Sequence, residues 1–137
     1  MITGTKGGVP KSKLFALQTL DSRGIPTITA VLKTKFGLFT ATVPSGTSSG
    51  TFEAVELRDN KKQFNGKGVS KACNNVDTIA KKLNLSNFYL NQEKLDSTLL
   101  SLDGTSNKSN FGANALLSIS LVAAKAAAAE KKLELFQ

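Results

Sequence analysis

The sequence predicts an α+β domain: a three-stranded antiparallel β-meander followed by an α-helical layer. Three observations predict it. Apolar residues alternate with period two between Lys13 and Val43, they recur with helical period beyond Val69, and neither a linker nor an internal repeat separates the two regimes. At 137 residues the chain has the size of one ordinary domain, able to bury a core without disulfide or metal staples.

The first strand is expected near Leu14 to Leu20, ending in the turn Asp21-Ser22-Arg23-Gly24. From Thr27 to Lys33, Ile28, Ala30 and Leu32 give an apolar face, while Thr27, Thr29, Val31 and Lys33 give a mostly polar one. Gly37 marks a hairpin, and Leu38 to Val43 repeats the alternation with Phe39, Ala41 and Val43 on one side. Glu53, Glu56, Arg58 and Asp59 are then read as a charge cluster on one short helix, where Glu and Arg pair locally, with a catalytic role as the alternative.

Val69, Ala72, Cys73, Val76, Ile79, Ala80 and Leu83 form one stripe of an amphipathic helix. Cys73 lies in that stripe, so it reads as a small buried hydrophobe rather than a reactive thiol. Asn91 can cap a second helix carrying Leu95, Leu99 and Leu102 and stopping at Gly104. A third, from about Ala113 to Lys132, is apolar or small on nearly every face and should lie at the centre of the helical layer. Residues 1–11 are expected to form a flexible arm, and 12–137 the folded domain.

Composition excludes several chemistries. Without histidine there is no imidazole base, no nucleophile system built on one and no histidine metal ligand. The lone Cys73 forms no intramolecular disulfide and no multi-cysteine zinc site. No stretch reaches the ~20 apolar residues of a membrane span, and the opening MITGTKGGVP lacks the apolar core of a signal peptide. An intracellular, cytoplasmic protein with no membrane partner is expected.

The formal charge of +8 is nearly all lysine. Pairs such as Lys61–Lys62, Lys81–Lys82 and Lys131–Lys132 are scattered, with no arginine cluster and no interleaved aromatics. They read as a solvated surface rather than a nucleic-acid contact.

Two loops remain as candidate sites. Pro44 to Thr51 contains only small, hydroxylated, Gly or Pro side chains. Its glycines give hinge freedom, and its hydroxyls and amides can reach an oxyanion or a hard cation. It lacks the Gly-Lys-Ser/Thr ending of a Walker A loop, and a plain turn fits it as well as a ligand lid. The second loop, Asp103 to Gly112, is long and polar between two helices, a length often associated with function. None of the ten acidic side chains falls in an EF-hand-type metal loop.

Four separated motifs then stand in a familiar order: DSRGIPT (Asp21 to Thr27), VPSGTSSGTFEAVELRD (Val43 to Asp59), GKGV (Gly66 to Val69) and SLDGTSNKSNFGANALLSISLVAAKAAAAE (Ser101 to Glu130). From about Ser12 to Phe136 the chain resembles the amino-terminal domain of enolase, which interconverts 2-phosphoglycerate and phosphoenolpyruvate. The resemblance implies a meander plus helices, covering the mouth of a C-terminal α/β barrel supplied in cis or in trans. That barrel, outside the matching stretch, carries the lysine base, the acidic catalytic pair, the first magnesium site and the phosphate-binding residues, consistent with lysine-base, magnesium chemistry in this superfamily.

From this domain the resemblance implies a mobile lid of Ser45, Gly46, Thr47, Ser48, Ser49 and Gly50. Ser48 is implied to contribute to a second magnesium only when barrel and substrate are present. No catalytic residue, no cofactor and no turnover are expected of the domain alone, although the family is a magnesium-dependent lyase of glycolysis. Leu17 and Thr29 stand where the family typically carries an arginine and a glutamate of its dimer contact, so the resemblance does not carry that contact over. Ile25 replaces a usual asparagine, Thr47 and Ser49 replace alanine and threonine, and LELF near the end lacks a usual proline. The alternatives are a stand-alone basic module that binds an acidic partner, or a regulatory subunit that docks on a complete enolase.

Overall fold

The computed structural model describes residues 11–46 and 50–137; the arm expected at the N-terminus otherwise lies outside them. Strands β1 (Lys13–Leu20), β2 (Pro26–Thr34) and β3 (Gly37–Thr42) form an antiparallel sheet in chain order, the expected meander. The turn after β1 closes through Asp21 and Ile25, whose N–H and C=O lie 2.9 Å apart. Gly37 opens β3 opposite Thr34, so the tip of the second hairpin is Lys35 and Phe36.

On the helix-facing side Ala16, Ala30 and Ala41 lie side by side across the three strands. These small residues leave room for helices to approach. The other face departs from expectation. Thr27, Thr29 and Val31 are buried although the alternation marks that face as mostly polar. A central strand is screened by side chains of both neighbours, and its hydroxyls find partners there. Thr29 bonds Thr19 and Thr42, each at 2.8 Å, and the Thr27 hydroxyl donates to the Val43 carbonyl.

Helices α1 (Ser70–Lys82), α2 (Gln92–Asp103) and α3 (Ala113–Lys131) follow, close to the expected spans. The Asn91 side chain accepts from the Lys94 N–H at 2.9 Å, and Gly104, at φ 70°, ends α2. Helix α1 packs on β1, α3 packs on β2 and β3, and α2 packs on α3, so α3 is the central helix. By length and composition α3 could cross a membrane. Here its Ala115, Ile119, Val122, Ala123 and Ala126 are buried in the core with Ile28, Leu32, Val76 and Ile79. Cys73 is buried beside them, as its place in the stripe predicts.

Candidate functional site: the base of the Ser45–Gly50 loop

Strand β3 delivers the chain past Val43 and Pro44 into the loop, and its first residue is clamped. The Ser45 hydroxyl donates to Asp21 Oδ2 at 2.6 Å and accepts from Arg23 Nη2 at 2.7 Å. Arg23 also reaches the Ser45 carbonyl at 3.2 Å and pairs with Asp21 at 3.2 Å. Asp21 Oδ1 takes the N–H groups of Arg23 and Ile25 at 2.8 and 2.9 Å. The Ser45 hydroxyl, then the Ile25 and Arg23 donors, hold the Asp21 carboxyl far below the usual carboxylate range. Ser45 itself is buried.

The next residue is held from another side. The Gly46 N–H donates to Glu56 Oε2 at 3.3 Å, and Glu56 Oε1 pairs with Arg58 at 2.6 Å. Arg58 Nη1 bonds the Pro26 and Lys67 carbonyls at 2.5 and 2.6 Å, which ties this chain of contacts to the start of β2. At the far end, the Glu53 N–H donates to the Gly50 carbonyl at 3.2 Å. The sequence-predicted Thr47, Ser48 and Ser49, including the magnesium contribution assigned to Ser48, lie outside the described residues.

The short helix expected around Glu53 to Asp59 is absent; these residues are not helical. Backbone partners distant in sequence take the place of intrahelical bonds. The Val55 N–H donates to the Asn107 carbonyl at 2.8 Å, and its own carbonyl accepts from Ala113 at 2.7 Å. Asn114 clasps Leu57 with both ends of its amide, accepting from the N–H and donating to the C=O at 3.1 Å each. The expected local pairing survives as Glu56–Arg58. Asp59 instead caps α1, accepting from Ser70 and Lys71 N–H groups at 2.9 and 2.8 Å. Burial pushes its carboxyl up, but these donors outweigh burial and leave it below the usual range.

Two glycines make this closeness possible. A Cβ on Gly68 would stand 2.7 Å from Asp59 Oδ2. Gly112 has φ +89°, and a Cβ there would lie 2.6 Å from both Asn114 Oδ1 and Leu57 Cβ.

The Asp103–Gly112 loop serves this arrangement. Asp103 is buried and accepts from the Thr105 and Phe111 N–H groups at 3.1 and 2.8 Å and from the Thr105 hydroxyl. Burial raises its carboxyl, yet the Thr105 hydroxyl and the backbone donors hold it below the ordinary range. The loop so braced presents Asn107 to Val55. Sequence reasoning missed Asp103, Asn114 and Asp59 as organisers; for Asp103 the signal available was Asp directly before Gly104 at a helix end.

Between the loop base, residues 53–56 and helices α2 and α3 lies an open cleft of about 920 Å³. Pro44, Gly46 and Gly50 stand on one wall, Leu99 and Leu117 on another, with Glu53, Glu56, Asp96 and Lys108 around them. Among the described residues no three His, Cys, Asp or Glu side chains are grouped to hold a metal ion. Glu56 is already committed to Arg58 and Gly46, so the described donors do not by themselves form a magnesium site.

A three-stranded meander backed by helices, with an open cleft beside the clamped Ser45 and Gly46, defines an α+β domain. The family model for "Enolase, N-terminal domain" matches residues 12–137. "Enolase 1" of Entamoeba histolytica is 51% identical over 126 residues, covering 91% of this chain and 29% of that relative. The chain belongs to the enolase family and corresponds to its N-terminal domain. It spans less than a third of the length of the relative it matches.

Proposed function

We propose that the chain is the capping domain of an enolase and supplies the active-site lid, Ser45 to Gly50, to a C-terminal barrel. The observation that carries the reading is the double clamp at the loop's entry. Asp21 and Arg23 fix Ser45, and Glu56 fixes Gly46, so a loop of small residues departs from a rigid base. A fixed base beside hydroxyl and glycine residues suits a segment that closes over a ligand and excludes water.

In this reading the parent reaction is the conversion of 2-phosphoglycerate to phosphoenolpyruvate and water, and magnesium belongs to the complete enzyme. Ser48 would add one hard oxygen there, too little to hold the ion alone. This reading places the base that takes the proton in the barrel, so the domain is expected to be inactive by itself, and its expected place is the cytoplasm. Leu17 and Thr29 are Cα partners on β1 and β2 and carry no charge, so the family's charged dimer contact has no counterpart at them.

The test is an absorbance assay for phosphoenolpyruvate, with 2-phosphoglycerate and magnesium, on the 137-residue chain alone and joined to an enolase barrel. Turnover is expected from the joined protein only, reduced when Ser48 is replaced by Ala. Turnover by the lone chain above a matched blank overturns the reading.

A further inference from the structure

Six of the sixteen lysines, scattered along the sequence, fall at one end of the fold. Lys13 lies directly opposite Lys33 on β1 and β2, Lys35 sits at the hairpin tip, and Lys11 precedes β1. Lys131 and Lys132 join them through Tyr89. Its hydroxyl donates to Glu130 at 2.8 Å and lies near the Ser12 and Thr34 side chains, which places the end of α3 by the start of β1 and the end of β2. These six lysines are exposed, and Glu130 beside Lys131 is already bonded to Tyr89.

Like charges placed directly across two strands cost stability. Among the described residues the ion pairs are Arg23–Asp21 and Arg58–Glu56, so none of these lysines is neutralised. Apolar side chains stand among them. Phe36 at the tip is 48% exposed and Leu38, opposite Lys33, is 64% exposed. The Lys35 ammonium lies 4.7 Å from the Phe36 ring centre and that of Lys13 5.5 Å from the Phe15 ring centre.

From this arrangement we infer that the hairpin end is a docking surface for an anionic membrane, with the lysines on lipid headgroups and Phe36 and Leu38 at the acyl boundary. A protruding tip of apolar residues ringed by lysines complements a planar anionic surface; a nucleic-acid strand is better held by a groove. Adsorption of this kind needs no membrane-spanning helix. The surface is at the opposite end of β3 from Ser45, so the inference does not rest on the lid reading and is compatible with it.

The experiment is sedimentation of the purified chain with phosphatidylcholine vesicles, with and without phosphatidylserine, at low and physiological salt. Binding is expected only with phosphatidylserine and should weaken as salt rises. The double substitution Lys33→Glu/Lys35→Glu should weaken it by about tenfold or more. Phe36→Ser, which leaves the charge unchanged, should weaken it too. Lys61→Glu/Lys62→Glu, close to Arg58 at the opposite end of β2 from Lys33, is the control of equal charge change, and circular dichroism checks the fold of each variant. Equal binding to both vesicles, none to either, or an equal loss in that control overturns the inference. So does displacement by a single-stranded oligonucleotide together with indifference to Phe36→Ser.

Discussion

Asp21 and Ser45 stand 24 positions apart in the chain, yet the Ser45 hydroxyl meets the Asp21 carboxylate at 2.6 Å. One residue closes the turn after β1 and the other begins the loop after β3. The bond therefore joins the β1–β2 turn to the exit of β3, where the candidate lid departs. Arg23 touches both partners, so the contact is a three-membered cluster rather than an isolated bond.

Acid should erode the stability that this clamp contributes. Asp21, Asp59 and Asp103 all have carboxyls held below their ordinary range by hydrogen-bond donors. A carboxyl depressed in the folded state contributes stability that is complete above its unfolded value, about 3.9, and is lost as pH falls below it. Urea midpoints should be flat from neutral pH to about 5 and fall below about 4. Asp21→Asn should flatten that fall, and an identical acid profile for the variant would contradict the role given to Asp21.

Asn114→Ala should destabilise the domain by about 1–3 kcal/mol, because it leaves the Leu57 N–H and C=O without their shared partner. The measurement is the urea midpoint, with the slope of the transition expected to stay unchanged. Amide exchange at Leu57 should accelerate in the variant. A midpoint equal to the parent's would mean that water replaces the clasp at no cost.

Cys73 should resist alkylation in the native protein at neutral pH and react once urea unfolds it. Burial, then the Asp77 and Asp59 carboxylates, push its thiol up to about 11, which leaves little thiolate. Labelling followed by mass spectrometry reads the outcome. Rapid labelling without denaturant would contradict the packing of α1 on β1.

Ile119→Ala should cost about 2–5 kcal/mol, since the side chain is fully buried on the central helix α3. Leu117→Ala, on the same helix but 45% exposed and lining the cleft, should cost much less. Thermal melts of the two variants compare them directly, and equal losses would contradict the orientation given to α3.

The sequence by itself determined the meander, the three helices and the burial of Cys73. Those features rest on period and local chemistry: alternation in Ile28, Ala30 and Leu32, the stripe from Val69 to Leu83, and the cap and stop at Asn91 and Gly104. Each is written within a few residues of where it acts. Its four motifs also carried the family, which the comparison confirms over residues 12–137.

Only the tertiary structure decided the rest. Glu53 to Asp59 has helix-like charge spacing, but its backbone is satisfied by Asn107, Ala113 and Asn114, residues about 50 or more positions away. The clamp on Ser45, the cap that Asp59 gives to α1 and the lysine end of the sheet likewise join residues that the chain order keeps apart. Periodicity reports which face of an element turns inward, whereas a hydrogen bond between distant segments exists only once packing has set their distance.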